Sequence, residues 1–431
     1  MIIPNAATLN YVRQHTHDDV RMLALRGCKD SDVDLPLALQ QIQGRQTARR
    51  KLPSWADVDG IVYPPHLNME QCSSELTAKH KALIINQLHL PPKSKFIDLT
   101  GGFGVDFAFM ADAFDEAVYV ERDERLCALA THNFTLLGKR NVTTVCADAS
   151  AYLDSIGTAP CAALNAQLIY LDPARRDTHG ARTYALADCT PNVVDMMPGL
   201  LRRAPFVLLK LSPMLDWRKA ISDLAPHHVS QVHIVAVDNE CKELLLLLES
   251  SPVTAEGAAP SDCPPRIVCT DIHPRDGSLT DYSPKPVAPM ASVASIAAKA
   301  PSTFLYEPNA AVMKAGCFRE LAADFTITPL APNSHLFTSS VSYSAVNAQL
   351  MGVAPFPGRT FRIAAVTTMN KRDLRENIGH LRQANIAVRN FPLTAEQLRR
   401  RLKLSDGGDD YLFATTLADG THTLLLCKKE P

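Results

Sequence analysis

The chain has 431 residues, of which 46% are hydrophobic and 21% are charged, and its formal net charge is −1 at pH 7. This length predicts two or three domains, and the hydrophobic content excludes a chain that is disordered throughout. The near-zero net charge excludes a protein that is basic over its whole surface, but it allows a local basic face that binds nucleic acid.

The N-terminal part of the chain is predicted to be helical. Residues 33–49 are rich in Leu, Ala and Gln, and residues 69–82 form a second helical segment. Ser73 or Ser74 could cap this second helix, with Thr77 in its first turns. We therefore expect residues 1–80 to be a helical N-terminal region.

Between residues 95 and 248, short apolar runs alternate with helix-length stretches. The runs lie at residues 96–99, 117–121, 142–146, 168–171 and 206–211. Such alternation indicates βαβ units, in which a parallel sheet is covered by helices on both faces. The next helix candidate is residues 214–224.

Two further strand-like runs, residues 231–237 and 242–248, are separated by a gap of hairpin length. The second run is rich in Leu and could instead be a short helix, but we favour a hairpin. The predicted fold class is therefore α/β. It consists of a Rossmann-like parallel sheet with a terminal antiparallel hairpin, a helical N-terminal region and a C-terminal α+β domain.

The C-terminal part of the chain begins with a stretch of linker composition. Residues 250–265 are rich in Pro, Ala, Ser and Gly, residues 266–271 are a candidate edge strand, and residues 276–302 are again rich in Pro, Ser and Ala. Beyond them, the helix candidates are residues 310–323, 370–384 and 394–402, and the strand candidates are residues 361–367, 388–391, 410–415 and 423–428. We therefore divide the chain into residues 1–80, a sheet domain at residues 81–275 and an α+β region at residues 276–431.

A glycine loop follows the first predicted strand, with Asp98, Thr100, Gly101, Gly102 and Gly104 in sequence. Glycines in this position let the backbone approach a ligand closely, which suits several nucleotide cofactors and some purely structural turns. Asp98 would repel a phosphate, and no lysine follows at P-loop spacing. S-adenosylmethionine has no phosphate and carries a positive ammonium and sulfonium. The loop therefore favours S-adenosylmethionine; a structural turn or another ligand is the alternative.

Acidic residues also end the next two predicted strands. Glu121 is placed to accept hydrogen bonds from ribose hydroxyls, and Asp148 from the adenine amino group. Their neighbours Arg122 and Ala149 begin the following helices and complete the candidate cofactor site. The alternative is an ordinary helix cap at each place. Three acids at three successive strand ends beside one glycine loop are less expected by chance than any one alone.

The Asp172-Pro173 pair stands at the end of the fourth predicted strand, where open α/β sheets bind ligands. A carboxylate followed by a rigid proline can aim two acceptors at one point, which suits an exocyclic amine held for in-line methyl transfer. Arg175 and Arg176 could contact phosphate or stack on a base, and Lys210 could line the substrate pocket. A structural turn with solvated arginines, and a lysine that caps the sheet edge, are the alternatives.

Cysteine and metal chemistry are not indicated. The 11 cysteines include no Cys-x-x-Cys pair, and no Pro-Cys dipeptide occurs at the sheet edge, which disfavours a cysteine-adduct mechanism. The histidines are dispersed, so no metal-ligand spacing is found. With no secretory signal or long apolar run recognised, we expect a cytoplasmic protein with reduced thiols and no membrane span.

Over about residues 70–250 these motifs resemble the class I S-adenosylmethionine-dependent methyltransferases. Thr100 stands where the commoner motif has its first glycine, and a similar variant with a Leu-Asp-Pro turn occurs in ribosomal-RNA guanine-N2 methyltransferases. Asp172-Pro173-Ala174 also departs from the Asn-Pro-Pro-Tyr motif of amino-group methylases. The resemblance implies S-adenosylmethionine as the cofactor and leaves the target atom open.

The whole chain more specifically resembles bacterial methyltransferases with a C-terminal THUMP-like, ferredoxin-like module. The segments that carry this likeness are residues 70–78, 306–311, 390–393, 403–406, 411–415 and 427–429. The resemblance implies that the segment before the first strand lies over the cofactor, with Ser74, Thr77 and Lys79 near its methionine end. THUMP modules are associated with RNA binding, so RNA is the expected partner.

Basic residues of the C-terminal region could provide a phosphate-binding face. They lie on two helix candidates and comprise Arg372, Arg375, Arg382, Arg399, Arg400, Arg401 and Lys403. A solvated helix surface is the alternative. The sequence as a whole predicts a methyltransferase that acts on a base amine in ribosomal or transfer RNA. A methyltransferase of a protein or small molecule, and a non-catalytic binding protein, are the other hypotheses.

Overall fold

A computed structural model describes residues 3–156, 166–175, 186–250, 264–286 and 297–431. The chain divides into two compact units, Met1–His233 with Lys242–Arg266, and Ile234–Cys241 with Ile267–Pro431. The N-terminal helices and the strands that follow them belong to the first unit. The division into three parts at residues 80 and 275 stays a prediction.

The N-terminal region consists of six helices: α1 (Ala6–Gln14), α2 (Val20–Arg26), α3 (Leu35–Lys51), α4 (Pro53–Ala56), α5 (His66–Gln71) and α6 (Glu75–Asn86). The helix expected at residues 33–49 is confirmed as α3. The segment at residues 69–82 is two helices rather than one. The chain breaks there because Ser74 has extended backbone angles and its hydroxyl accepts a hydrogen bond from the Thr77 N–H, which makes Ser74 the N-cap of α6.

The next part of the chain alternates strands and helices, as predicted. The elements in chain order are β1 (Lys95–Asp98), α7 (Val105–Met110), β2 (Glu116–Glu121), α8 (Glu124–Leu136), β3 (Val142–Cys146), α9 (Ala149–Ser155), β4 (Leu168–Leu171), β5 (Ala174–Arg175), β6 (Cys189–Thr190), α10 (Val193–Leu201), β7 (Phe206–Leu211), α11 (Trp217–Leu224), β8 (Val229–Val237) and β9 (Glu240–Glu249). Single 3-10 turns are formed by Ala111–Ala113 and Leu186–Asp188. The helix expected from residue 214 begins only at Trp217, because Asp216 caps it.

Six neighbouring strands of the sheet in the first unit have the order β9-β7-β4-β1-β2-β3. Strands β7, β4, β1, β2 and β3 are parallel, and β9 is antiparallel to β7. All four residues of β4 are buried, as expected of a central strand covered on both faces. The parallel order brings the carboxyl ends of β1, β2, β3, β4 and β7 to one edge, where ligands bind in open α/β sheets.

The predicted hairpin is confirmed as β8 and β9. Asp238 and Asn239 at its turn both have positive φ, 51° and 61°. Two central residues of this conformation are typical of the tight turn that matches the twist of paired strands. The Leu-rich run is therefore a strand, and the side chains of residues 244–248 are fully buried.

The second unit contains the hairpin of β10 (Arg266–Ile272) and β11 (Leu279–Tyr282), the second of which lies in the region marked as rich in Pro, Ser and Ala. Its other elements are β12 (Phe304–Pro308), α12 (Ala310–Ala315), α13 (Phe318–Asp324), β13 (Thr328–Pro329), β14 (Phe337–Ser339), α14 (Ala345–Met351), β15 (Gly358–Thr368), α15 (Lys371–Asn377), β16 (Asn385–Arg389), α16 (Ala395–Leu402), β17 (Asp410–Thr416) and β18 (His422–Lys429). Their sheet has the order β13-β14-β12-β15-β18-β17-β16.

Several predicted boundaries in the second unit were wrong. The helix expected at residues 310–323 is two helices, because Gly316 ends α12 with a left-handed conformation (φ 68°). The helix expected at residues 370–384 ends at Asn377, and the strand expected at residues 388–391 ends at Arg389, because Asn390 has φ 53°. The helix at residues 394–402 is confirmed; Thr394 and Gln397 form its capping box.

Candidate functional site

A cavity of about 740 Å³ lies at the carboxyl edge of the parallel strands in the first unit. Its volume is in the range of sites that bind a cofactor or small ligand, about 300–1,000 Å³. The predicted site residues that line it are Asp98, Thr100, Gly101, Gly102, Gly104, Glu121, Arg122, Asp148, Ala149, Asp172, Pro173 and Lys210. The fold therefore brings most of the predicted cofactor and transfer residues to one cavity.

Asp98 closes β1 at the floor of this cavity and is 1% exposed. Its Oδ1 accepts a hydrogen bond of 2.9 Å from the backbone N–H of Thr100 and lies 3.4 Å from the Thr100 hydroxyl oxygen. Burial raises the pKa of the Asp98 carboxyl well above its usual value, and the Thr100 N–H only partly offsets this. Asp98 thus both orders the glycine loop and is costly to ionise until a positive charge approaches.

The three glycines have different structural roles. A Cβ on Gly101 would lie 2.1 Å from the ring of Tyr119, and a Cβ on Gly104 would lie 2.7 Å from the ring of Phe134. Gly102 has φ 55°, and a Cβ there would meet no atom nearer than 3.9 Å. Gly101 and Gly104 therefore let aromatic rings pack directly under the loop, whereas Gly102 keeps the loop open.

We expect Gly101→Ala to lower the free energy of unfolding by about 3 kcal/mol, because the Tyr119 ring must move out of a packed core. Gly102→Ala is the matched control, for which we expect a loss of about 1 kcal/mol from the left-handed backbone alone. Urea unfolding of the two variants and the wild type measures both values. Equal losses would contradict the assignment of Gly101 to the packing under the loop.

Glu121 and Asp148 lie at the ends of the next two strands. Glu121 Oε2 accepts from the Gly102 N–H at 2.8 Å, so it joins the end of β2 to the glycine loop. Asp148 is the N-cap of α9, and its Oδ1 accepts from the Ser150 N–H at 2.9 Å. Each carboxylate has further lone pairs. Asp148 therefore both caps α9 and lines the cavity.

Asp172 is held at two points. Its backbone N–H donates to the Thr100 hydroxyl oxygen at 2.6 Å, and its Oδ2 accepts from the Lys210 ammonium at 2.7 Å. The side chain remains 38% exposed. Desolvation raises the pKa of the Asp172 carboxyl despite the opposing charge of Lys210. Asp172 is therefore an oriented carboxyl that reaches the cavity.

The two predicted arginines are less well defined. Arg175 belongs to β5, where its backbone pairs with Cys189 of β6, and its side chain is outside the described part of the structure. Arg176 lies outside the described residues altogether. Their assignment to substrate binding stays a prediction.

Ser74 and Thr77 are not among the residues that line the cavity. They form the cap of α6, and Thr77 is 2% exposed. The neighbouring Ser73 lines the cavity instead. Ser73 lies in the stretch of residues 70–78 that resembles the family, and the role of Ser74 and Thr77 near the cofactor stays a prediction.

A charge cluster at the wall of the cavity, the buried charge cluster, was missed by sequence reasoning, apart from Asp172 and Lys210. It consists of Lys81, Asp106, Asp172, Lys210 and Glu243. Lys81 is paired with Glu243 and lies 3.1 Å from Asp106 Oδ1, and Lys210 lies 3.3 Å from Asp106 Oδ2. Three carboxylates face two ammonium groups, so the fully ionised cluster has one excess negative charge.

Ser73 and Tyr170 provide the hydrogen bonds that complete the cluster. The Ser73 hydroxyl accepts from Lys210 at 2.9 Å and lies 2.8 Å from Asp106 Oδ2. Tyr170 donates to the same Asp106 oxygen at 2.8 Å. Buried charges persist only where such partners satisfy them, and strongly shifted pKa values are typical of functional sites.

The charges of the cluster shift the pKa values of its members. Burial by itself raises the pKa of Asp106, but the Lys210 and Lys81 ammonium groups outweigh it and hold the pKa below its usual range. The same lysines lower the pKa of Glu243 against the effect of burial. Burial lowers the pKa of Lys210, yet Asp106 and Asp172 raise it well above the usual value, so Lys210 stays an ammonium.

A pH dependence follows from Asp98. Because its folded pKa is raised, its contribution to stability is fully present below the unfolded pKa of about 3.9 and is lost as pH rises through the folded pKa. Asp98→Asn keeps an oxygen for the Thr100 N–H and cannot ionise. We expect the free energy of unfolding of this variant to rise relative to that of the wild type as pH increases. The rise is up to about 1.4 kcal/mol for each pH unit between the unfolded and the folded pKa of Asp98. Urea unfolding at a series of pH values tests this, and a difference independent of pH would contradict it.

The basic residues of the second unit are partly neutralised. Of the seven basic residues predicted to form a phosphate-binding face, three form ion pairs: Arg372 with Glu376, Arg399 with Asp406, and Arg400 with Glu396. Four others form no ion pair with another described residue: Arg375, Arg382, Arg401 and Lys403. This smaller set remains as a candidate phosphate-binding face.

No helix within the described ranges is long and apolar enough to cross a membrane. No group of three or more His, Cys, Asp or Glu side chains among these residues is placed to hold a metal ion.

Comparisons with known proteins give the family. A family model of a THUMP-like domain matches residues 358–429, and one of a ferredoxin-like domain matches residues 304–344. No match was found among curated proteins. The crystal structure of a candidate methyltransferase from Porphyromonas gingivalis W83 is 30% identical, covers 99% of this chain and 98% of its own, and has a TM-score of 0.80.

Two other similar structures cover smaller parts of this chain. A candidate class I S-adenosylmethionine-dependent methyltransferase from Listeria monocytogenes is 11% identical, with 61% of this chain and 93% of its own covered and a TM-score of 0.37. A candidate RNA methyltransferase from Pyrococcus horikoshii is 12% identical. The match covers 46% of this chain and 95% of its own, with a TM-score of 0.34. The Porphyromonas likeness extends over nearly the full length of both chains. The chain therefore belongs to the class I S-adenosylmethionine-dependent methyltransferases, in a group with C-terminal ferredoxin-like and THUMP-like domains.

Proposed function

We propose that the protein transfers the methyl group of S-adenosylmethionine to an exocyclic base amine in ribosomal or transfer RNA, by direct in-line displacement. The observation that carries the proposal is the Asp172-Pro173 turn, which opens into the same cavity as the glycine loop. Asp172 Oδ2 is engaged by Lys210, so Oδ1 and the Pro173 carbonyl are the acceptors offered to an amine.

The residues of the cavity fit the cofactor. Gly102 leaves its side of the loop open, and Glu121 and Asp148 offer carboxylate oxygens for ribose hydroxyls and the adenine amino group. Asp98, which ionises more readily when a positive charge approaches, and the carboxylates of the buried charge cluster suit a ligand with an ammonium and a sulfonium. When bound, S-adenosylmethionine supplies the methyl group as an activated electrophile.

The chain's own residues orient the acceptor. Asp172 Oδ1 and the Pro173 carbonyl hold the two hydrogens of the amine and point its lone pair along one direction. Fixing that direction is the main contribution of these residues to the reaction rate, since a well-oriented attack is faster by many orders of magnitude than a random encounter. Asp172, with its raised pKa, can then accept the proton that the methylated nitrogen releases.

The rest of the chain would place the RNA. The THUMP-like and ferredoxin-like domains, with Arg375, Arg382, Arg401 and Lys403, would contact its phosphates. Arg175 and Arg176 would lie beside the target base. We place this activity in the cytoplasm, where ribosomal and transfer RNA are found.

The test compares methylated nucleosides, by mass spectrometry, in RNA from a deletion strain and its parent. We expect one nucleoside methylated on an exocyclic amine to be missing in the deletion strain. A plasmid with the wild-type gene restores it, and a plasmid with Asp172→Ala does not. If the nucleoside profiles are identical, RNA is not the substrate.

A further inference from the structure

Thr100 stands where the commoner methyltransferase loop has a glycine, and its side chain makes a specific contact. Its hydroxyl oxygen lies 2.6 Å from the backbone nitrogen of Asp172 and 3.4 Å from Asp98 Oδ1. The Asp172 N–H must donate in the first contact, so the hydroxyl proton is left for the carboxyl of Asp98. Thr100 thereby joins the glycine loop to the turn that carries Asp172.

The Asp172 N–H needs such a partner. The β1–β4 ladder ends where the Leu99 N–H donates to the Tyr170 carbonyl at 3.0 Å. Asp172 comes after the last residue of β4, and Pro173 has no N–H to donate. The Thr100 hydroxyl therefore holds the backbone of the turn at the point where the sheet no longer does.

The side chain of Asp172 is held separately, by Lys210. One contact on the backbone and one on the carboxylate together determine where Oδ1 points. Lys210 in turn is fixed by Ser73 and Asp106 in the buried charge cluster. A glycine or a valine at position 100 would leave the carboxylate contact in place but release the backbone.

We propose that Thr100 is a positioning residue for methyl transfer, which acts by holding the Asp172-Pro173 turn through its hydroxyl rather than by binding the cofactor. This inference rests on the proposed role of Asp172 in the transfer. It explains why position 100 is a threonine and not the commoner glycine: the threonine hydroxyl is a second link between the cofactor loop and the acceptor site.

The test uses Thr100→Val, which keeps the shape but removes the acceptor, and Thr100→Ser, which keeps the hydroxyl. The first readout needs no substrate: hydrogen exchange of the Asp172 amide, followed by NMR with isotope-labelled aspartate. We expect exchange to be about tenfold faster or more in Thr100→Val, the loss of a hydrogen bond of about 1.4 kcal/mol, and close to wild type in Thr100→Ser.

The second readout is methylation of RNA from the deletion strain, with calorimetric titration of S-adenosylmethionine. We expect kcat to fall by about 10- to 100-fold in Thr100→Val, because a small misplacement of the acceptor is costly, while the Kd for S-adenosylmethionine changes less than about threefold. Thr100→Ser should recover most of kcat.

Three results overturn the inference: an Asp172 amide as protected in Thr100→Val as in wild type, a loss in Thr100→Ser equal to that in Thr100→Val, or a loss confined to the Kd for S-adenosylmethionine. If the wild type methylates no RNA, the proposed substrate fails, and the amide exchange still decides whether Thr100 holds the turn. The two failures are therefore distinguishable.

Discussion

Asp172→Ala is expected to reduce kcat for methyl transfer by about 10²–10⁴-fold, because it removes both the oriented acceptor and the carboxyl that collects the released proton. The Kd for S-adenosylmethionine should change by less than about threefold, since Asp172 is assigned to the acceptor amine. The measurement is single-turnover methylation of RNA from a deletion strain, with the Kd from calorimetric titration of the same protein.

Asp172→Asn is the matched control for this experiment. It retains an oxygen and the shape of the side chain, but it loses the charge that pairs with Lys210 and the capacity to take a proton. If orientation dominates, the asparagine variant should keep most of the activity, with a loss of about tenfold. If it falls as far as the alanine variant, proton transfer to Asp172 is the larger effect.

Folding is the other quantity to control. In both variants Lys210 keeps Asp106 as a partner, at 3.3 Å, so the ammonium is not left alone. Thermal unfolding midpoints near the wild-type value would show that the loss is in the chemistry. Wild-type activity in Asp172→Ala would remove the observation on which the proposed function rests.

The site residues that the sequence predicted best are those that can be recognised from the few residues before them. Asp98, Glu121, Asp148 and Asp172 each follow a short apolar run, and parallel strands necessarily bring their carboxyl ends to one edge. A pattern of strands was therefore enough to place four acids around one cavity. It was also enough for the hairpin, since the gap between its two strands is short.

The residues that the sequence could not locate are those joined over long distances. Lys81 and Glu243 are 162 positions apart, and each looks in the sequence like an ordinary surface charge of a helix or strand. Ser73 and Ser74 were equally good caps, and only the packed chain shows that Ser74 caps α6 while Ser73 faces the cavity. Thr100 was recognised as unusual, but its partner Asp172 could be identified only in the folded protein.

The buried charge cluster carries the second large effect, on stability. Lys81 is fully buried and is the partner of both Glu243 and Asp106. Lys81→Met leaves a single ammonium, Lys210, for three carboxylates. Removing one partner from a buried ion pair typically costs about 3–5 kcal/mol, so we expect a loss of this size in the free energy of unfolding, measured in urea.

The double variant Lys81→Met/Glu243→Gln separates the charge from the packing. It restores the net charge of the cluster to that of the wild type, because one cation and one anion are removed together. We therefore expect it to be more stable than Lys81→Met, with a coupling of about 1–3 kcal/mol in the double-mutant cycle. Independent, additive losses would mean that the two side chains do not act as a pair.

The same cluster predicts how the loss depends on pH. The folded pKa values of Asp106 and Glu243 are lowered, so the stability that they contribute is present above their unfolded values of about 3.9 and 4.3 and is lost as pH falls through the folded values. The destabilisation by Lys81→Met should therefore be largest near neutral pH and shrink in acid. A destabilisation that is the same at neutral pH and at about pH 3 would instead assign the effect of Lys81 to its aliphatic packing, and not to its ion pairs with Asp106 and Glu243.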